Sequence, residues 1–440
     1  MARIHLIAIG GSAMHNMALA LHSNGHSITG SDDEIYEPAF SRLKEKGLLP
    51  HPGWHAENIT PVIDAIILGM HAKKDNVELQ RALELGVQIF SYPEFIYEQS
   101  KHKKRLVIAG SHGKTSTTSL VMHAFRKTGR TFDYLVGAQL EGFDLMVKLS
   151  DADTIIIEGD EYLSSPIDRV PKIHHYMPHV SIITGIAWDH INVFPTFSSY
   201  IDLFDKYIEL HERNATVIVY EGDKVLMEVV KRNKRKDLSF VDYNGLAIDL
   251  EKNIIWEGKA YEYHLVGYHN LQNVHAAMLM CNAVGMASEE FLSTLADFRG
   301  ASKRLQCIKS DNNSAVYLDF AHAPSKVSAT TTAVKQWFGS RPLIAIFELH
   351  TFSSLNSEFL PQYKGSLDKA DTAIVYFDKH TLEMKNMPEL SKELVARAFQ
   401  HHNLHVIDDR SVLHSYLSTL DSSDKNLLLM SSGNFGEYKF

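Results

Sequence analysis

The sequence predicts an α/β protein of three domains. The first is Rossmann-like, the second a P-loop ATPase-like domain on a parallel sheet, and the third again Rossmann-like. Three observations carry this expectation. Short apolar runs alternate with helical stretches from Arg3 to Met430, the pattern of parallel strands joined by crossover helices. Glycine turns follow a buried strand twice, at Gly10-Gly11 and at Gly110 to Gly113. A chain of 440 residues is also too long for one ordinary domain. The expected boundaries are 1–104, 105–300 and 301–440.

In the first domain, Arg3 to Ile9 reads as a buried strand that turns through Gly10-Gly11 into a helix ending near His22. A second strand, Ser27 to Ser31, ends at Asp32-Asp33. Glycines after one strand and an acid after the next outline a Rossmann-type unit. Ala8 and Ala13 stand where a dinucleotide site would use glycine, so the turn suits a different diphosphate nucleotide better than NAD. Strands at Ala65–Gly69 and Gln88–Ser91, with a helix over Asn76–Leu85 between them, complete a small parallel sheet. Lys101-His-Lys-Lys-Arg105 reads as an exposed linker.

The second domain opens on Leu106-Val-Ile-Ala-Gly-Ser-His-Gly-Lys-Thr-Ser116. A strand over 106–109 that turns into a helix over 116–125 aims backbone N–H groups into one concavity. The helix dipole and the Lys114 ammonium make that concavity suit a triphosphate. The loop is a shortened variant of the common P-loop, since Ile108 stands where the first glycine would be. Gly110, Ser111, His112, Gly113, Lys114, Thr115 and Ser116 are therefore expected to bind ATP, with the Thr115 hydroxyl near Mg²⁺. The next strands, Ala152–Ile157 and Val180–Thr184, lead to Glu158-Gly-Asp-Glu161 and to Asp189-His190. Acids at the carboxyl end of a strand beside a phosphate loop are where such a protein holds Mg²⁺, so Glu158 is an expected metal ligand, and His190 at the next strand end is grouped with it as a functional residue. Asn270 and Asn273 lie one helical turn apart, and paired amides can read a purine edge.

Arg299 to Leu305 reads as the hinge into the last domain. Strands are expected at Ala315–Phe320, Leu343–Phe347, Thr372–Tyr376 and Asn426–Met430, with a helix over Lys326–Phe338. Ser431 to Gly436 forms a strand-end loop able to approach a ligand with its backbone. Polar residues gathered at the strand ends of three α/β domains imply a ligand cleft.

Hydrophobic content of 45% and charged content of 22% are those of a soluble protein with sizeable cores. The net charge of −9 argues against a nucleic-acid partner, and Lys231 to Lys236 reads as a solvated basic loop. Cys281 and Cys307 offer neither metal spacing nor a disulfide framework. Ile4 to Ile9 is too short for a signal peptide or membrane span, so a cytoplasmic protein without membrane partners is expected.

Six segments resemble the Mur ligase family in order and spacing, and the similarity covers essentially the whole chain. They are Gly110 to Thr115, Glu158 to Glu161, Asp189-His190, Gly267-Tyr-His-Asn-Leu-Gln-Asn273, Lys303-Arg304 and Asp319-Phe-Ala-His-Ala-Pro324. The resemblance implies an ATP- and Mg²⁺-dependent ligase that forms an amide on UDP-N-acetylmuramate through an acyl phosphate. Glu158 to Tyr162, Asp168-Arg169, Pro171-Lys172 and His175 to Pro178 are most similar to the branch that adds a recycled tripeptide. That tripeptide is L-alanyl-γ-D-glutamyl-meso-diaminopimelate.

By the same resemblance Lys114 would hold the β- and γ-phosphates, Thr115 and Glu158 would bind Mg²⁺, and His190 would bind the same or a second metal. Asn270 and Asn273 would meet the adenine, Arg304 the γ-phosphate and Asp319 the ribose. Lys114, Arg304 and His190 would thus be the catalytic residues, with domain closure completing the site. Gly10, Gly11, Ser31 and Asp32 would face the UDP moiety, and a monomer or weak homodimer is expected.

The chain departs from the family pattern at Leu318, Ala323 and Gly185. Phe204 aligns with a lysine that many relatives carbamylate, so no carbamate is expected, with Lys206 two residues on. Glu348 to Ser354 replaces a more basic stretch. Rival readings are addition of L-alanine instead of the tripeptide, folylpolyglutamate-type ligation, a nucleotide-binding regulator without ligation, and a Rossmann oxidoreductase.

Overall fold

The computed structural model describes residues 1–188, 193–301, 304–421 and 423–438. The chain forms two compact units, one of residues 1–262 with 272–296 and one of residues 263–271 with 297–440.

The first unit contains two parallel sheets. The smaller is made of β1 (Arg3–Ile7), β2 (Ser27–Ser31), β3 (Ala65–Leu68) and β4 (Ile89–Ser91), in the order β2-β1-β3-β4. Leu6, Ile7, Ile66, Ile67 and Leu68 are all buried. A strand covered on both faces reads as a continuous apolar run, which is why these strands were legible without alternation. Helix Val77–Leu85 begins where Asn76 accepts from the N–H groups of Glu78 and Leu79, and it stops at left-handed Gly86.

The larger sheet is made of β5 (Lys104–Ala109), β6 (Asp133–Leu135), β7 (Val147–Lys148), β8 (Thr154–Glu158), β9 (Val180–Ile183), β10 (Thr216–Tyr220) and β11 (Ser239–Tyr243). Its order is β11-β10-β9-β5-β8-β6-β7, parallel except for the edge pair β6-β7. β5 therefore sits between β8 and β9, and the three carboxyl ends that carry the predicted polar residues emerge side by side. A small antiparallel pair, β12 (Ile254–Trp256) and β13 (Lys259–Tyr261), follows.

Only the start of the segment Lys101–Arg105 is an exposed connection, with Lys101 and His102 exposed in a turn. Lys104 and Arg105 begin the central strand, and Arg105 is fully buried. Its guanidinium donates to the carbonyls of Tyr176 (2.8 Å), Met177 (3.0 Å) and Ser100 (2.8 Å), and it pairs with Glu212 at 2.5 Å. A guanidinium with five donors can enter a core when carbonyls meet it, an outcome that composition does not reveal. The basic run near Lys231 is partly ordered too, since Arg235 donates to the carbonyls of Glu209 and His211 and pairs with Asp237.

His211 is buried under the same sheet, with Nε2 2.6 Å from Ser181 Oγ and Nδ1 2.9 Å from the Tyr207 carbonyl. Burial pushes its pKa down from 6.5 to about 4. The unfolded chain binds the extra proton first, so this group's stabilisation is complete above the unfolded pKa and is lost as pH falls from about 6.5 to about 4. Thermal midpoints measured across that interval should fall in the parent protein and fall less steeply in His211→Gln.

The second unit carries β14 (Gln306–Ser310), β15 (Ala315–Asp319), β16 (Leu343–Leu349), β17 (Thr372–Phe377), β18 (Leu404–Ile407) and β19 (Asn426–Met430). The order is β14-β15-β19-β16-β17-β18, parallel except for β14. The four inner strands are those expected from sequence. β14 and β18 lie at the edges; β14 is largely exposed, and β18 is a short run of four residues broken by exposed His405, so neither shows the apolar run that marked the others. Among the described residues no helix is long and apolar enough to cross a membrane.

Candidate nucleotide and substrate site

β5 ends at Ala109, and the chain turns through Gly110 (φ 111°) and Gly113 (φ 78°) into helix Lys114–Lys127. Both glycines are required by space as well as by φ. A Cβ on Gly110 would lie 2.6 Å from the Thr184 nitrogen, and one on Gly113 would lie 2.5 Å from Asn273 Oδ1. The helix is longer than the expected 116–125, so Lys114 and Thr115 occupy its first turn. Ser111 fixes the loop to the neighbouring strand: its N–H donates to Gly185 O at 3.0 Å, and its hydroxyl accepts from the Ala187 N–H at 2.8 Å. A glycine turn opening a helix leaves the first N–H groups free for an anion.

Lys114 Nζ lies 2.6 Å from the Gly110 carbonyl and 2.8 Å from each carboxylate oxygen of Glu161, which is wholly buried. Desolvation alone would lower the Lys114 pKa. The carboxylates of Glu161, Asp160 and Glu158 outweigh it and hold the ammonium above the ordinary lysine value.

Thr115 Oγ1 donates to Glu158 Oε1 at 2.6 Å, and the Gly137 N–H donates to Glu158 Oε2 at 2.8 Å. Two of the three expected metal ligands, Thr115 and Glu158, thus meet at the mouth of β5 and β8. A hydroxyl and a carboxylate form an all-oxygen donor set, which suits a hard divalent cation such as Mg²⁺. Asp189 and His190, like Lys303, lie outside the described residues. The residue that leads toward the Asp-His pair is held by an acid the sequence reading did not single out. Asp223 Oδ2 accepts from the Ile186 N–H at 2.6 Å, and a side chain at Gly185 would press on it at 2.9 Å.

The segment after β8 folds against the end of β4. Lys172 Nζ meets Asp160 at 2.5 Å, His175 Nε2 meets Asp168 at 2.9 Å, and Ser91 Oγ lies 3.0 Å from the same Asp168 oxygen. Glu94, Asp168 and His175 each bring one ligand atom within 4.8 Å of the others. Phe204 is buried in the helix Phe197–Glu209, and the Lys206 ammonium pairs at the surface with Glu209 at 3.1 Å.

At the N-terminal turn, Asp32 Oδ2 accepts from the Gly10 N–H at 2.7 Å. Burial raises the Asp32 pKa to about 6, against the pull of that hydrogen bond. Ala8 adopts φ 66°, the left-handed conformation that a glycine ordinarily supplies, so the turn is made without the expected residue. The Ser31 hydroxyl donates to buried Glu78, which also contacts His5 at 3.4 Å and accepts from Asn58 at 2.9 Å. Glu78 had drawn no attention in sequence, where it is one acid on an amphipathic helix.

In the second unit, Asp319 ends β15 and is buried. Oδ2 accepts from the Leu305 N–H at 2.6 Å and Oδ1 from the Ala321 N–H at 2.7 Å, and burial raises its pKa. Arg304 stacks its guanidinium 4.7 Å from the Phe320 ring centre. Asn270 Nδ2 donates to Val266 O at 2.9 Å. The 431–436 loop folds over buried Glu348, which accepts from Ser431 Oγ and from the Phe435 N–H at 2.9 Å. Sequence gave no reason to connect Glu348 with that loop.

Family models match three consecutive stretches: "Mur ligase family, catalytic domain" over residues 3–104, "Mur ligase middle domain" over 108–281 and "Mur ligase, glutamate ligase domain" over 303–433. The chain is 30% identical to a UDP-N-acetylmuramate–L-alanine ligase of Sulfurihydrogenibium sp. (strain YO3AOP1), over 85% of this chain and 82% of the relative. It is 26% identical to the UDP-N-acetylmuramate–L-alanyl-γ-D-glutamyl-meso-2,6-diaminoheptandioate ligase of Escherichia coli K12, over 99% and 96%. Its fold matches a murein peptide ligase from Psychrobacter arcticus 273-4 with a TM-score of 0.67 at 21% identity, covering 99% of this chain and 97% of that one.

Proposed function

Because the chain belongs to the Mur ligase family, whose members are ATP-dependent ligases that form amide bonds, we propose that it joins UDP-N-acetylmuramate to L-alanyl-γ-D-glutamyl-meso-diaminopimelate. The observation that supports the tripeptide over L-alanine is the 158–178 segment. Asp168, Lys172 and His175, the residues of the peptide-adding resemblance, are tied by the Lys172–Asp160 and His175–Asp168 contacts into one wall that starts at Glu158. L-Alanine addition is the second reading, favoured by the relative from Sulfurihydrogenibium.

In this reading the lactyl carboxylate of UDP-N-acetylmuramate attacks the γ-phosphorus of ATP, and ADP leaves. The alanyl amine of the tripeptide then attacks the resulting acyl phosphate, losing a proton, and phosphate leaves. A carboxylate is a poor electrophile, and the phosphoryl group it acquires is what makes it one. Lys114 supplies charge to the β- and γ-oxygens, and the loop N–H groups and helix end orient the chain of phosphates. Thr115 and Glu158 would hold Mg²⁺, which supplies further charge neutralisation on the transferring group. Gly10, Gly11, Ser31 and Asp32 would bind the UDP end, with the buried Ser31–Glu78 contact fixing the edge of that turn. A cytoplasmic setting and a monomer or weak dimer accompany the proposal. Phosphate release with ATP, Mg²⁺ and UDP-N-acetylmuramate tests it. Turnover is expected with the tripeptide and not with L-alanine, and the reverse preference would overturn the acceptor assignment.

A further inference from the structure

Lys114 is already occupied. Both oxygens of Glu161 lie 2.8 Å from its ammonium and the Gly110 carbonyl caps it at 2.6 Å, so the cation that a polyphosphate needs is engaged before any nucleotide arrives. The ammonium is also largely buried, at 17% side-chain exposure, and Glu161 is sealed at 0%, so water screens the pair poorly. Around the loop stand the carboxylates of Glu158, Asp160 and Glu161 against the ammonium groups of Lys114 and Lys172. Among the described residues of the first unit, three carboxylates against two ammonium groups disfavour a bare triphosphate.

We propose that Glu161 is a positioning residue that acts through Lys114: it is the counter-ion a phosphate chain must displace or share, and it makes nucleotide binding conditional on a divalent cation. A cation arriving with the nucleotide adds the positive charge that the Glu158–Thr115 corner lacks, and the phosphate can then compete for Lys114. Without it, ATP meets a lysine whose charge is already answered. The inference rests on the reading of Lys114 as a phosphate ligand.

Titration calorimetry of the full chain with ATP in EDTA and with ATP plus Mg²⁺, in the parent protein and in Glu161→Gln, tests it. The variant keeps the shape of the side chain and removes its charge. Metal-free ATP should bind Glu161→Gln at least tenfold more tightly than the parent, whereas the gain with Mg²⁺ should be no more than a few-fold, because the metal has by then offset the carboxylates. Glu161→Asp, which keeps the charge, should retain the parent's dependence on Mg²⁺. A Glu161 that merely braces the loop would give weaker binding in both conditions. That result, or unchanged metal-free affinity, would overturn the inference while leaving the ATP site intact. Failure of the parent protein to bind ATP with Mg²⁺ would overturn the ATP site and the inference with it.

Discussion

Lys114→Ala is expected to lower ADP formation by at least about 10²–10³-fold, the loss typical when one preorganised charge on a transition state is removed. It should also destabilise the protein, for a reason visible only in the fold. Glu161 is wholly buried and Lys114 is its ion-pair partner, so truncating the lysine strands a carboxylate in the core. Breaking one side of a buried pair costs about 3–5 kcal/mol. The two effects separate in the double variant Lys114→Ala/Glu161→Gln, which should recover most of the thermal midpoint and none of the activity. Steady-state ADP formation beside a thermal melt distinguishes them. Near-parental turnover in Lys114→Ala would contradict the placement of phosphate at this loop.

The second large effect is structural. Arg105→Met should destabilise the protein by about 3–5 kcal/mol, because a fully buried cation that donates to backbone carbonyls and pairs with Glu212 is removed and the carbonyls of Tyr176 and Met177 lose its hydrogen bonds. Glu212→Gln should cost less than Arg105→Met, since the amide oxygen can still accept from the guanidinium and the carbonyls keep their donors. Urea midpoints of the two variants check the contrast. Equal losses would mean that the ion pair, not the carbonyl cage, fixes the start of β5.

How much of this was legible in the sequence depends on the kind of signal. Leu106 to Ala109 and Ile155 to Ile157 are buried on both faces, and a continuous apolar run between glycines and acids announces such a strand. Gly110, Gly113, Lys114, Thr115 and Glu158 were legible as a group because phosphate chemistry demands those residue types near one another at strand ends. Glu161 stood inside a motif without an evident task, since its partner is 47 residues away in sequence and only the β5–β8 pairing brings the two together. Arg105 misled for the opposite reason. A lysine- and arginine-rich segment usually faces water, and nothing local says that the carbonyls of Tyr176 and Met177 will cover it. The backbone at Ala8 was not legible for a third reason: its φ of 66° is one that residue identity disfavours and the surrounding turn imposes. The edge strand β14 was silent because an exposed strand needs no apolar face, and β18 because four residues broken by His405 are too short a run.

The acceptor is the central claim, and a direct competition reads it. The protein is incubated with ATP, Mg²⁺, UDP-N-acetylmuramate and equal concentrations of L-alanine and L-alanyl-γ-D-glutamyl-meso-diaminopimelate, and the products are resolved by mass. The ratio of products under competition is the ratio of kcat/KM values and is independent of how much enzyme is active. The account predicts that the UDP-N-acetylmuramoyl tripeptide dominates. A product pool dominated by UDP-N-acetylmuramoyl-L-alanine would contradict it.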